Sequence, residues 1–146
     1  PGIVLLACMK NEGPAILEWV AYHLAIGVDH FLIYTNDCAD GTDLIWQRLA
    51  QLGLATHRDN TAETGQAAKP QTRALGRALS EPVYTGADWV LVIDADAQAR
   101  VERGVGILVD HLDRTAQRAE VLALLRAPAE GSAPPVGLSM LRCLFW

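Results

Sequence analysis

The sequence lacks a cluster of basic residues, because its 12 Lys and Arg are scattered and outnumbered by 17 Asp and Glu, giving a net charge of −5. Surfaces that bind the phosphate backbone of nucleic acids need concentrated positive charge, so no nucleic-acid partner is expected. The apolar runs are also much shorter than the roughly 18 residues of a membrane span. The opening residues PGIVLLAC lack the basic and long apolar segments of a signal peptide. We therefore expect no membrane span.

Cysteine is scarce, and the sequence lacks the common phosphate-binding glycine motifs. Cys8, Cys38 and Cys143 are far apart and form no CxxC motif, which argues against a disulfide framework or a zinc site. Two of the three could still pair, but a reducing cytoplasm fits them best. The stretch Gly104-Val-Gly106 lacks the third glycine of a dinucleotide fingerprint, and GxxxxGK[ST] does not occur.

Hydrophobic residues make up 51% of the 146-residue chain, which is enough for one domain with a core. Apolar runs of strand length occur at residues 2–9, 30–35, 54–57, 89–93 and 120–125. Helical patterns separate these runs. Strands that alternate with helices predict an α/β fold, with a doubly wound, mostly parallel sheet and helices on both faces.

Four helices are predicted from apolar residues at helical spacing. Pro14 and Pro70 suit first turns, and Gly27 and Gly53 suit C-terminal ends. The inward stripes are predicted at Ile16, Leu17, Val20 and Leu24, then Ile45, Leu49 and Leu52, then Leu75 and Leu79, then Val105, Leu108 and Leu112.

Polar residues follow four of the predicted strands at their carboxyl ends. They are Asn11 and Glu12, then Asn36, Asp37 and Asp40, then Arg58, Asp59 and Asn60, and finally Asp94 and Asp96. The carboxyl ends of parallel strands meet at one edge, where doubly wound sheets bind their ligands. We therefore expect a ligand site at this edge.

The most informative stretch is WVLVIDADAQAR, residues 89–100, in which an apolar strand runs into Asp94-Ala-Asp96. Two nearby carboxylates raise each other's pKa unless a cation or hydrogen-bond donors lie between them. Hard oxygen ligands suit Mg²⁺ or Mn²⁺, which share their coordination with substrate phosphates. We interpret Asp94 and Asp96 as a site for a divalent ion that carries a nucleotide diphosphate, with one of them free to accept from a ribose hydroxyl.

Each residue also has an ordinary structural explanation. A DxD sequence after a strand is common in turns, and Glu12 could stabilise the helix that Pro14 opens. Asp37 and Asp40 suit a tight turn by their side-chain chemistry alone. The ligand hypothesis therefore depends on the whole set sharing one edge.

The segment KNEGPAILEWVAYHLAIGVDHFLIYTNDCADGTDLIWQRLAQLG resembles the opening of glycosyltransferase family 2 proteins, and PQTRAL and DWVLVIDAD continue the likeness in order. The resemblance implies a GT-A fold, a nucleotide-diphosphate-sugar donor and Mn²⁺ or Mg²⁺ at the DxD motif. By the same likeness, Glu12 and Asp37 line the nucleoside pocket. Asp94 touches the ribose or the metal, and Asp96 is the metal ligand.

The sequence also departs from that family. Ala97-Gln98 follow the DxD motif where a Glu-Phe pair is usual, and nothing beyond Arg126 matches an acceptor site or a general base. We therefore expect residues 1–146 to form a single donor-binding domain, truncated relative to a full GT-A domain, that transfers no sugar by itself. The acceptor is not identified. The apolar end LRCLFW predicts contact with a missing segment or with a second subunit.

Two other functions fit parts of the pattern. The first is a degenerate, catalytically inactive nucleotide-binding or interaction module, which the Ala97-Gln98 departure and the short chain favour. The second is a phosphatase of the haloacid-dehalogenase type, whose nucleophile lies in a strand-exit DxD. That motif follows the first strand in such phosphatases, whereas here it follows the fourth.

Overall fold

The computed structural model describes residues 2–63 and 68–96. The elements in chain order are β1 (Ile3–Met9), a short 3-10 helix (Gly13–Ala15), α1 (Ile16–Ala25), β2 (His30–Thr35), α2 (Thr42–Gln51), β3 (Ala55–Asp59), α3 (Pro70–Ala78), α4 (Pro82–Thr85) and β4 (Trp89–Val92). The helix predicted around Val105 and the strand predicted at residues 120–125 lie outside the described residues.

The four strands form one parallel sheet in the order β3-β2-β1-β4. Leu6 of β1 lies between Leu32 of β2 and Val92 of β4, so β1 is an inner strand of the described sheet. The chain therefore adds β2 and β3 on one side of β1 and then crosses to the other side to form β4. This arrangement confirms the predicted α/β class.

Alternate residues of β1 pack against helices on opposite faces of the sheet. Leu5 belongs to a buried cluster that includes Ile16 of α1 and Trp46 of α2. Leu6 belongs to a second cluster that includes Ala74 and Ala78 of α3. Since successive side chains of a strand point to opposite faces, the apolar run of β1 supplies both clusters. The predicted placement of helices on both faces is confirmed.

An aromatic cluster fixes α2 against the carboxyl end of β1. Trp46 is fully buried, and its ring centroid lies 5.8 Å from that of Phe31 and 6.3 Å from that of Trp19. The Trp46 Nε1–H group donates to Sδ of Met9, the last residue of β1, over 3.2 Å. Large buried rings contribute much of the apolar burial in a small domain, so this cluster holds the two strand-exit loops in a fixed relation.

Three leucines assigned to inward stripes are exposed instead. Leu17 is 64% exposed, Leu52 58% and Leu79 39%, so these predictions were wrong. In α3 the buried positions are Ala74 and Ala78, with Leu75 half-buried beside them. Small side chains let this helix lie close to the sheet. Apolar periodicity alone places leucine inward and cannot identify such an alanine contact.

The third strand is displaced from its predicted position. It covers Ala55–Asp59 rather than 54–57, because pairing with β2 continues through Tyr34–Arg58 and Thr35–Asp59. Arg58 and Asp59 therefore lie inside β3 instead of after it. Both are exposed, which an edge strand allows. Of the three polar residues assigned to this strand exit, only Asn60 follows the strand.

Two further expectations can be compared with the described residues. Cys8 and Cys38 are both free thiols, while Cys143 lies outside the described part. None of the helices in residues 2–63 and 68–96 is long and apolar enough to cross a membrane. Gly27, at a φ of 105°, follows the C-terminal end of α1, as the sequence predicted.

Candidate functional site

The candidate site lies where the sheet changes its direction of growth. Strands β1 and β4 are neighbours in space, although β2 and β3 come between them in the chain. Ligands of open α/β sheets bind outside the carboxyl ends of the strands at such a switch point. The exits of these two strands carry Asn11 and Glu12 after β1 and Asp94 and Asp96 after β4. The topology thus brings two of the predicted acidic exits to the switch point.

The first two strand exits share an unusual backbone conformation. Asn11 has a φ of 56° and Asp37 a φ of 48°, and each lies two residues beyond the end of its strand. The left-handed region costs energy for residues other than glycine, although Asn and Asp tolerate it best. Strained backbone of this kind clusters at functional sites. Two equivalent positions on adjacent strands therefore support a ligand site at this edge.

Asp40 and Thr42 tie the second exit loop to the first. The Asp40 carboxylate accepts hydrogen bonds from the Gly13 N–H at 2.9 Å and from the Thr42 hydroxyl at 2.6 Å. The Thr42 hydroxyl oxygen in turn accepts from the Glu12 N–H at 2.8 Å. The Thr42 hydroxyl lowers the pKa of the Asp40 carboxyl, and backbone amides of Thr42 and Gly13 add to this effect. A Cβ atom at position 13 would lie 3.0 Å from Asp40 Oδ2, so glycine permits this close approach.

The predicted nucleotide-binding residues fall into two groups by their contacts. Asn11 and Asp40 bond to the neighbouring loop, since Asn11 Oδ1 accepts from the Ala39 N–H at 2.8 Å. The carboxylates of Glu12 and Asp37 accept no hydrogen bond from the described residues. Asn11 thus has a structural role that the sequence did not assign. Asp40 makes the turn contact that its side-chain chemistry allowed, accepting from the Thr42 N–H at 3.0 Å, and adds the bond to Gly13. Any contact of these residues with a nucleotide stays a prediction.

Asp94 and Asp96 are both exposed at the end of β4, whereas Ala95 between them packs against the buried cluster of α1 and α2. Asp94 Oδ1 accepts a hydrogen bond from Nε2 of Gln71, in the first turn of α3, over 3.1 Å. No described residue donates to Asp96. Within residues 2–63 and 68–96, the second oxygen of Asp94 and both oxygens of Asp96 accept no hydrogen bond.

The donor set fits a hard divalent cation that is shared with a substrate. Within residues 2–63 and 68–96 no group of three His, Cys, Asp or Glu side chains is close enough to hold a metal ion. Mg²⁺ in nucleotide enzymes typically binds one or two carboxylates and completes its shell with phosphates and water. The two carboxylates that are exposed at the end of β4 are of the chemical type that such an ion binds.

Asn60 is a buried residue whose importance the sequence did not indicate. It is fully buried, and its Nδ2 donates to the carbonyl oxygen of Pro70 at 2.8 Å. Its N–H donates to the Thr35 carbonyl at 2.6 Å, while its own carbonyl accepts from Arg73. Asn60 therefore joins the ends of β2 and β3 to the start of α3. Its partners are distant in sequence, so no local pattern predicts them.

A separate cavity of about 320 Å³ lies at the opposite end of the sheet, between α4 and the first residues of β1 and β2. Its two ionisable side chains already have protein partners. Asp29 accepts from the Ile3 N–H at 2.7 Å, and His30 Nε2 lies 2.9 Å from the Thr56 hydroxyl. This cavity lies at the amino ends of β1 and β2, whereas open α/β sheets bind ligands at the carboxyl ends of their strands, so the carboxyl edge is the better candidate.

Comparison with known proteins relates the chain to glycosyltransferases. No family model matches it. The chain is 27% identical over 128 residues to a glycosyltransferase family 92 protein of Ricinus communis, in a match that covers 86% of this chain and 22% of that protein. It thus spans about a fifth of that relative's length. Among solved structures, the crystal structure of S. aureus TarS matches with 19% identity and a TM-score of 0.45, covering 66% of this chain and 17% of that chain.

The related protein differs in family from the one that the sequence motifs resemble. It is named for glycosyltransferase family 92, whereas the motifs led to family 2. Both assignments share the broader class, and the match includes most of the chain. The chain is therefore similar in sequence to a glycosyltransferase.

Proposed function

We propose that this chain is the donor-binding part of a GT-A type glycosyltransferase, related to family 2, and that it binds a nucleotide-diphosphate sugar at the switch point. Asp94 and Asp96 hold Mn²⁺ or Mg²⁺, and Glu12 and Asp37 face the nucleoside. The sugar is transferred to an acceptor that the described residues do not identify. The similarity to a glycosyltransferase over most of the chain supports this class.

One observation carries the proposal. The strand order β3-β2-β1-β4 brings the end of β1 beside the end of β4, so the loops that carry Glu12 and the Asp94–Asp96 pair leave neighbouring strands at the same edge of the sheet. A crevice at a switch point is where an open α/β sheet binds its ligand. The carboxylates at this edge repel a diphosphate that carries no metal ion, and a bound divalent ion removes that repulsion.

The chain's own groups divide the work of binding. The metal, when bound, neutralises charge on the diphosphate and on the phosphate that leaves during transfer. Asp94 and Asp96 hold the metal ion at the end of β4. Asp37 is exposed, and its backbone N–H donates to the Thr61 hydroxyl oxygen at 3.3 Å. The Asp40 and Thr42 contacts fix the Glu12 backbone, which keeps the first exit loop ordered before a nucleotide arrives.

Calorimetric titration of the 146-residue chain with UDP-, GDP- and dTDP-sugars tests this proposal. Each titration is run with Mn²⁺ and again with EDTA. We expect one nucleotide class to bind in the presence of Mn²⁺ and its affinity to fall at least tenfold with EDTA, since carboxylates cannot hold a diphosphate directly.

The competing interpretation is a degenerate interaction module that has kept the fold but no longer binds a nucleotide sugar. That interpretation predicts no heat with any nucleotide sugar, with or without metal. Binding that is equally tight in EDTA would also contradict the proposed metal site, because the two exposed carboxylates would then have no cation to hold.

Asp37 is expected to accept a hydrogen bond from the nucleobase. Asp37→Asn should weaken binding of the preferred nucleotide several-fold and reduce the preference between uridine and guanosine nucleotides, because an acceptor-only group becomes a mixed donor and acceptor. The substitution suits this position, since Asn tolerates the left-handed backbone at a φ of 48°. Titration with UDP and GDP measures both effects. Equal losses for the two nucleotides would assign Asp37 to the turn alone.

A further inference from the structure

We infer that Gln71 is a positioning residue of the metal site, which acts by orienting the Asp94 carboxylate. This inference rests on the proposed function, because it assigns a residue to the divalent ion at Asp94 and Asp96. The contact that carries it joins two exposed side chains from different elements, 23 residues apart, with 3.1 Å between Gln71 Nε2 and Asp94 Oδ1.

The geometry makes the two carboxylates unequal. Gln71 donates to one oxygen of Asp94, whereas no described residue donates to Asp96. An amide donor on one oxygen fixes the plane of a carboxylate and directs the second oxygen outward. Carboxylates that bind metals are commonly held by such hydrogen bonds, and loss of the partner typically lowers metal affinity 10–100-fold. The Asp94 carboxylate is therefore oriented with one oxygen toward the ion before the ion binds, whereas the Asp96 carboxylate takes its orientation when the ion binds.

The first turn of α3, which carries Gln71, is held in place by hydrogen bonds of Asn60 and Arg73. Gln71 follows Pro70, whose carbonyl accepts from Nδ2 of the buried Asn60 at 2.8 Å. Arg73, two residues further along α3, donates to the Ala68 carbonyl at 2.7 Å and to the Asn60 carbonyl. These bonds fix the first turn of α3 over the end of the sheet. An ordered support of this kind is what lets an exposed amide act as a fixed donor rather than a mobile one.

The test measures Mn²⁺ affinity of the 146-residue chain in the presence of UDP and then of GDP, from the loss of the free Mn²⁺ paramagnetic resonance signal. We expect Gln71→Ala to weaken Mn²⁺ binding about tenfold. Gln71→Glu should weaken it at least as much, because the donor is replaced by an acceptor. Gln47→Ala, the same change at an exposed position of α2, should have no effect.

A double-mutant cycle separates an effect through Asp94 from any other effect. In an Asp94→Ala background, which keeps Asp96 as a ligand and leaves Gln71 no side-chain acceptor at position 94, Gln71→Ala should cost no further Mn²⁺ affinity. A full additional loss there would overturn the inference and make Gln71 a direct ligand-binding or purely structural residue. Where Asp94→Ala leaves Mn²⁺ binding too weak to measure, the Gln71 side-chain amide resonance decides instead. It should shift in the metal-free Asp94→Ala variant, because Gln71 Nε2 loses its acceptor, and an unchanged resonance would overturn the inference.

The outcomes also distinguish this inference from the proposed function. Normal Mn²⁺ affinity in Gln71→Ala, with a parent chain that binds Mn²⁺ and nucleotide, would reject the role of Gln71 and leave the donor site standing. A parent chain that binds no Mn²⁺ with either nucleotide would reject both.

Discussion

Asp96→Ala is expected to lower the Mn²⁺-dependent affinity for the preferred nucleotide diphosphate by more than about 100-fold, because loss of a supporting partner alone can cost 10–100-fold. Asp96 is exposed and receives no hydrogen bond from the described residues, so its carboxylate has no structural task there that the substitution would disturb. The effect should therefore appear in metal-dependent binding and not in folding. Calorimetry with and without Mn²⁺ measures the first, and thermal unfolding measures the second.

Asp88→Ala is the matched control for this prediction. Asp88 is also exposed, and it precedes β4 at the opposite end of the strand from Asp96. Both substitutions remove one negative charge, so an effect of the chain's net charge alone on an anionic nucleotide would appear in both variants. We expect Asp88→Ala to bind as the parent chain does. Unchanged binding in Asp96→Ala would mean that the end of β4 does not hold the ion.

The sheet was predictable from sequence because its inner strands carry their signal locally. Residues 2–9 and 30–35 are continuous apolar runs, and they become β1 and β2, which are buried on both faces. The edge strand β3 is less predictable, because Arg58 and Asp59 continue its pairing while their side chains are exposed. A polar residue therefore ends a strand in the sequence pattern without ending it in the structure.

The sequence predicts the location of the candidate site, at the carboxyl edge of the sheet, but it does not predict the hydrogen bonds within the site. The exit positions of Glu12, Asp94 and Asp96 follow from where the strands stop. The bonds from Gly13 to Asp40 and from Gln71 to Asp94 join residues 27 and 23 positions apart. Such contacts depend on how the loops fold over the sheet. No spacing rule along the chain distinguishes a carboxylate that binds a loop from one that is free for a ligand.

Asn60 illustrates the same limit most clearly, since in the sequence it is one polar residue in a polar segment. In the structure it is fully buried, and its side chain donates to the Pro70 carbonyl and lies 3.8 Å from the Cys8 sulfur. Its Oδ1 accepts from Arg77 at 3.4 Å. Because burial without partners is costly for an amide, these contacts are what permit a polar side chain between the sheet and α3.

Asn60→Ala is accordingly expected to reduce the free energy of unfolding by about 3 kcal/mol, since it leaves a buried carbonyl without its donor and opens a small cavity. Asn36→Ala provides the comparison. Asn36 is also buried at this edge, but its side chain accepts only a weak 3.5 Å bond from the Cys8 thiol within the described part, so we expect a loss of about 1 kcal/mol. Urea unfolding followed by tryptophan fluorescence measures both values.

The same substitution should also weaken nucleotide binding, because Asn60 holds the turn of α3 that carries Gln71. Binding is measured well below the unfolding temperature of the variant, so that loss of folded protein does not enter the result. Mn²⁺-dependent affinity should fall in Asn60→Ala and not in Asn36→Ala. Equal stability losses in the two variants would contradict the stabilising role of the Asn60 side-chain bonds. A destabilised Asn60→Ala that binds Mn²⁺ and nucleotide normally would show that the first turn of α3 keeps its position without the Asn60 side chain. Gln71 would then depend on Arg73 and its carbonyl partners alone for its place beside Asp94.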